Sequence, residues 1–313
     1  MSNNHLHKHH HDDHLHREGL NGHNLLWVTL LNLSITVVQI VGGLISNSLS
    51  LLSDAIHNLG DSSAVFIAFV AGRVSRKKPD ERRTFGYKRV EILAALLNAI
   101  VLISICIFLF YEAYKRFQNP EPIQGKLMMI VAVFGLLANL VSVLVLEKEK
   151  DHSLNVKAAY MHLLGDTLSS VAVIVGGVAI WIFDIYWVDP LITVLVGIYI
   201  VWHTWEIVQQ TIDILMQSTP AGINLQELKV KVEKIDGIEN IHHVHVWKLD
   251  DTQIHLEAHV NLVHDVTMTE MMAIQNDVEN VLKNDFGIGH VTIQMGYNCC
   301  SGNESLIAEK EKH

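Results

Sequence analysis

The feature that most constrains this chain is a series of apolar runs. About 20 predominantly apolar residues suffice for a helix to cross the hydrocarbon core of a bilayer. Six runs meet that length, at residues 25–45, 50–73, 90–115, 125–147, 155–183 and 188–213. Past 213 the pattern changes to short apolar stretches among many charges. The expected fold is an α-helical membrane protein with six transmembrane helices, followed by a small α+β domain. Four regions follow: a disordered His-rich arm (1–24), a membrane domain (25–213), a cytoplasmic α+β domain (214–297) and a flexible tail (298–313).

Orientation follows from Lys and Arg in short loops, which stay cytoplasmic. The segment after the second run carries Arg73, Arg76, Lys77, Lys78, Arg82, Arg83, Lys88 and Arg89. The turns between runs 1 and 2 and between runs 5 and 6 carry no basic residue. Both termini are therefore expected in the cytoplasm, and the first 24 residues are too polar for a secretory signal. From residue 214 onward there are 15 acidic and 7 basic residues, a balance that argues against nucleic acid and suits cationic ligands. Cys106, Cys299 and Cys300 make no disulfide framework.

Histidine usage is unusual. Eight of the 20 histidines fall in the first 23 residues, in a tract that reads either as an expression tag or as a weak metal buffer. Seven lie between residues 242 and 290, and His57, His162 and His203 lie in or beside the apolar runs. His203 has no acidic residue four positions on and reads as a packed or hydrogen-bonded histidine.

Inside two runs the chain repeats nearly one pentapeptide, "HNLGD" at 57–61 and "HLLGD" at 162–166. Residues four apart on a helix share a face, with Cβ atoms about 5–6 Å apart. His57 and Asp61 can thus address one object, as can His162 and Asp166. A charged Asp near mid-bilayer costs at least about 2.5–3.5 kcal/mol, so two of them require compensation. A divalent metal supplies it: two imidazoles and two carboxylates make a tetrahedral shell suited to Zn²⁺ and ill suited to Mg²⁺ or Ca²⁺. The alternative is that each His and Asp pair as interhelical glue. Asp54, three residues before His57, reads as a supporting group, a proton relay or a helix cap.

No H-E-x-x-H string and no phosphate-binding loop occurs in the sequence. A closed four-ligand shell also lacks the open position of catalytic zinc, so transport is favoured over enzymatic chemistry. Metal binding to neutral imidazole and ionised carboxylate releases protons, which suggests exchange of Zn²⁺ for H⁺. The competing reading is a membrane-bound zinc sensor or buffer that binds metal without moving it. No prosthetic group is implied.

The tail reads as helix, strand, strand, helix, strand. His243 and His245 share one face of the first strand, and His255 and His259 one face of the second. Paired as a hairpin, the strands would gather a His cluster; the alternative is exposed polar positions.

The two His-x-x-x-Asp pairs, "RRTFGYKRVEILAALLNA", "SLNVKAAYMHLLGD", "HHVHVWKL" and "HVTIQM" together resemble the cation diffusion facilitators, in particular their zinc-transporting branch. The resemblance covers residues 25–296. It implies six membrane helices, a metallochaperone-like αββαβ cytoplasmic domain, a homodimer in a bacterial inner or plasma membrane, and proton-coupled export of Zn²⁺, with Cd²⁺ and Co²⁺ as further cargo. Its transport-site positions fall on His57, Asp61, His162 and Asp166, and His243 and His259 fall on cytoplasmic ligand positions. Zn²⁺ bridging two such domains would tighten the dimer as a regulatory ion. Two departures stand out: Arg83 and Tyr87 replace the histidines of a loop metal site, and Gly296 replaces an acidic ligand after the last strand.

Overall fold

The computed structural model describes residues 22–147, 154–297 and 305–306, and only the backbone at 22–31, 65, 142, 145–147 and 154–164. The His-rich arm up to residue 21 lies outside the described residues, as do Cys299 and Cys300. Six long helices come first: α1 (Gly22–Ser46), α2 (Leu49–Ser75), α3 (Val90–Gln118), α4 (Gly125–Glu147), α5 (Leu154–Phe183) and α6 (Val188–Leu215). Then follow α7 (Leu225–Val232), β1 (Ile238–Lys248), β2 (Ile254–Leu262), α8 (Met268–Phe286) and β3 (His290–Tyr297).

Among the described residues, α3, residues Gly165–Phe183 of α5, and α6 are long and apolar enough to cross a membrane. Large apolar side chains stay outward on these helices, including Phe108, Val175 and Leu195. That is the expected surface of a helix whose solvent is lipid.

The chain falls into two compact units: Met1–Leu59 with Ala113–Val196, and Gly60–Glu112 with Gly197–His313. In the first, α4 packs against α5 and α1. Glycines set those distances. A Cβ on Gly125 would lie 2.7 Å from the Trp181 N and 2.8 Å from the Gly177 O. One on Gly135 would lie 2.6 Å from Gln39 Nε2. Small residues let backbones approach where lipid offers no hydrophobic drive between helices.

The second unit holds the α+β domain. Its sheet has the order β1-β2-β3, with β1 antiparallel to β2 and β2 parallel to β3. Leu228 and Val232 of α7, Val278 and Leu282 of α8, and Ile241, Leu256 and Val260 of the sheet form its core. Each such side chain contributes about 1.5–3 kcal/mol when fully buried. The ends of α8 are marked in the sequence. Thr267 and Glu270 form a reciprocal capping box, and Gly287 closes the helix at φ 67°, where a side chain would be strained.

Candidate metal site on α2 and α5

The site is prepared by the way α2 is anchored. Its first backbone N–H groups have no partner within the helix. Asp189, fully buried in the first turn of α6, supplies one. It accepts from Leu49 N at 2.8 Å, Ser50 N at 3.1 Å, Ser48 Oγ at 2.6 Å and Ser50 Oγ at 2.7 Å. Arg116 Nη1 lies 3.9 Å from the same carboxylate, and the guanidinium donates to Asn47 O and, at 2.7 Å, to Asn47 Oδ1.

One turn into α2, buried Asp54 accepts from Gln39 Nε2 at 2.7 Å, Ser169 Oγ at 2.6 Å and Ser170 Oγ at 3.4 Å. Gln39 Oε1 in turn accepts from Asn58 Nδ2 at 3.0 Å. The Asp54 carboxylate thereby ties α1, α2 and α5 together with neutral donors. It lies in the layer below His57, more than a turn past the start of α2, and so does not cap that helix.

His57 Nε2 lies 3.1 Å from Asp166 Oδ1, and each side chain is only 3 % exposed. Asp61 stands one turn beyond His57 on the continuous α2 helix. His57 and Asp166 thus bring an imidazole and a carboxylate together at one buried point, close enough to contact a single ion. The backbone of His162 lies in α5, one turn before Asp166, and its side chain lies outside the described residues.

In the α+β domain six of the seven histidines between residues 242 and 290, all but His264, separate into two groups. His243 stacks on His259 with ring centroids 4.8 Å apart, His245 lies 5.0 Å from His243, and His242 lies 5.5 Å from His259. His255 sits elsewhere: it pairs in register with Trp247 and His290, stacks on Trp247, and lies 4.6 Å from His290. Burial and, next, the His290 ring push the His255 imidazole below its ordinary value, with Asp250 opposing. Strand alternation did not reveal His242. It joins the group because β1 is irregular between His242 and His245, with His243 at φ 52°.

In the segment before α3, Arg83 donates to Tyr87 Oη at 2.9 Å and its guanidinium lies over that ring. Asp80 accepts from Arg82 N at 2.9 Å and Arg83 N at 2.8 Å, and these N–H groups hold its carboxyl below the usual range. Gly296 lies on β3 opposite Asn261.

Residues 25–216 match the model of the cation efflux transmembrane domain, and residues 220–296 that of the cation efflux protein cytoplasmic domain. The chain belongs to the cation efflux family. It is 36% identical over 304 residues to the zinc transporter ZitB of Pectobacterium atrosepticum, covering 96% of this chain and 93% of that one. It is 37% identical over 264 residues to the metal cation efflux system protein CzcD of Cupriavidus metallidurans, covering 84% and 83%. It is 36% identical over 298 residues to the cadmium, cobalt and zinc/H(+)-K(+) antiporter of Bacillus subtilis, covering 95% and 96%. The match runs through both the membrane helices and the α+β domain, so this is a cation efflux protein along nearly its whole length. Beyond the residues legible in the sequence, the structure adds His242, His290 and the Asp189 cap.

Proposed function

We propose that this cation efflux protein exports Zn²⁺ from the cytoplasm in exchange for H⁺, through an intramembrane site made by His57, Asp61, His162 and Asp166. The observation that carries the reading is the buried contact of His57 with Asp166, with Asp61 one helical turn beyond His57 on α2. Ionisable side chains have little reason to gather among apolar helices unless a cation compensates them. Nitrogen and carboxylate donors in a small, closed set favour Zn²⁺. The names of the relatives add zinc, cadmium, cobalt and proton antiport.

In this reading α1 to α6 all cross the membrane and both termini are cytoplasmic, as the basic segment between α2 and α3 implies. The protein works as a homodimer in a bacterial membrane, without a prosthetic group. His243, His245 and His259 form a cytoplasmic zinc site, joined by His242, while His255 stands apart from it. Zinc enters the intramembrane site only when its carboxylates are ionised and its imidazoles neutral. Proton return then displaces it on the other side. A sensor or buffer would have no use for so costly a buried site.

The test is zinc uptake into inside-out proteoliposomes with an imposed proton gradient, comparing the intact chain with Asp61→Ala. Uptake by the intact protein alone, abolished when the gradient collapses, is the expected result. Equal zinc binding by both proteins with transport by neither would make the intramembrane residues structural glue.

A further inference from the structure

A cavity of about 420 Å³ opens beside the segment that joins α2 to α3. Arg83, Lys88 and Arg89 line it, and among the described residues no carboxylate does. Phe85, Trp247 and Leu249 supply apolar wall. Two of the three cations already have partners. Arg83 donates to Tyr87 Oη and lies 3.8 Å from Asp80, and Lys88 lies 3.6 Å from Asp250. Arg89 differs: its Nε is buried with no hydrogen-bond partner among the described residues. A buried, unmade donor on a charged group is costly, and an anion would relieve that cost.

The surroundings fit such an anion. Val90 and Leu93, in the first turn of α3, also line the cavity, and helix N-termini favour negative charge. The segment is held by its own hydrogen bonds, from the Arg82 and Arg83 backbone N–H groups to Asp80 Oδ1 and from Gly86 N to Arg83 O at 2.8 Å. Gly86 sits at φ 72°, so this turn needs glycine. Since α3 is long and apolar enough to cross a membrane, its first turn falls at the interface, where headgroup phosphates lie.

We propose that this cavity binds a phosphate-bearing anion, with the Arg89 guanidinium as its principal ligand, and that the anion is the headgroup of an acidic phospholipid or free phosphate. A guanidinium offers two parallel N–H donors to phosphate oxygens, and the apolar wall accommodates the adjoining glycerol and upper acyl carbons. The proposal concerns binding alone, so it stands or falls separately from the transport reading.

The test uses the full chain, delipidated in detergent and titrated with short-chain phosphatidylglycerol, short-chain phosphatidylcholine or inorganic phosphate. The readout is Trp247 fluorescence, taken as the difference from Trp247→Phe. A saturable response to phosphatidylglycerol and not to phosphatidylcholine is expected, weakened by about tenfold or more in Arg89→Gln. Leu93→Trp, which fills the cavity and leaves Arg89 in place, should weaken it similarly. Lys78→Gln, on the same segment but outside the cavity, should change it little. If inorganic phosphate saturates the response by itself, the site takes the free anion; if only the lipid does, it takes the headgroup. Equal affinity for the two lipids, unchanged affinity in Arg89→Gln, or equal weakening by Lys78→Gln would overturn the proposal.

Discussion

Replacing Asp189 by Asn tests how α2 is held. The substitution keeps the shape of the side chain and removes its charge. Asp189 accepts four hydrogen bonds, two from backbone N–H groups and two from serine hydroxyls, and faces Arg116 at 3.9 Å. An amide turns one acceptor oxygen into a donor: with its nitrogen in the Oδ2 place Leu49 N loses its partner, and in the opposite orientation the three donors to Oδ1 do. The remaining bonds fall from charge-assisted to neutral strength, a difference of about 1 kcal/mol each. Arg116 keeps its bonds to Asn47 and its approach to Glu121 at 3.8 Å, but loses the buried one of its two counter-charges in a site where it is 8 % exposed. Taken together the change should cost about 3–5 kcal/mol, the usual range for breaking a buried pair from one side. For a chain of 313 residues, at about 2.1 cal/mol/K of unfolding entropy per residue, that corresponds to a fall in Tm of roughly 5–8 °C. The assay is thermal unfolding of the purified protein in detergent, followed by tryptophan fluorescence. Arg116→Met in the Asn variant should then recover part of the loss, because it removes a buried charge left with only the exposed Glu121 beside it. An Asn variant that melts within about 1 °C of the parent would refute the view that this carboxylate anchors α2.

Two further outcomes follow from the α+β domain. His259→Ala should reduce cytoplasmic zinc binding, measured by calorimetry in an Asp61→Ala background, whereas His255→Ala should leave it nearly unchanged, because His255 lies with His290 and not with His243. The Thr267 backbone N–H, then its hydroxyl, holds the Glu270 carboxyl below its ordinary value of 4.5. A depressed carboxylate contributes above its unfolded value and loses that contribution as pH falls through the folded one. Amide exchange in the first turn of α8 should therefore quicken relative to the rest of the helix below about pH 4.5, and Glu270→Gln, which has no carboxylate to titrate, should abolish that pH dependence.

What could be read from the sequence depended on the distance along the chain between the residues concerned. The six long helices announce themselves in runs of about 20 apolar residues. The His57 and Asp61 relation is likewise local, because one helical turn fixes which side chains share a face. Even the αββαβ order follows from local period, with the capping box and Gly287 marking where α8 begins and ends. The Asp189 cap was not legible. Ser48 and Asp189 stand 141 residues apart, and an Asp in the first turn of a helix ordinarily signals a favourable dipole and nothing more. The histidines of the sheet fall between these cases. Alternation correctly put His255 and His259 on one face, but four residues along a strand is about 13 Å, too far for rings to meet. Which of them joins His243 is decided by strand register, and register is set here by an irregularity at His242 and His243 that places two consecutive histidines beside His259. A strand pattern without that irregularity would have sent His242 to the opposite face. The backbone at His243, at φ 52°, is thus what turns a run of alternating histidines into a cluster. No count of histidines along the chain contains that information.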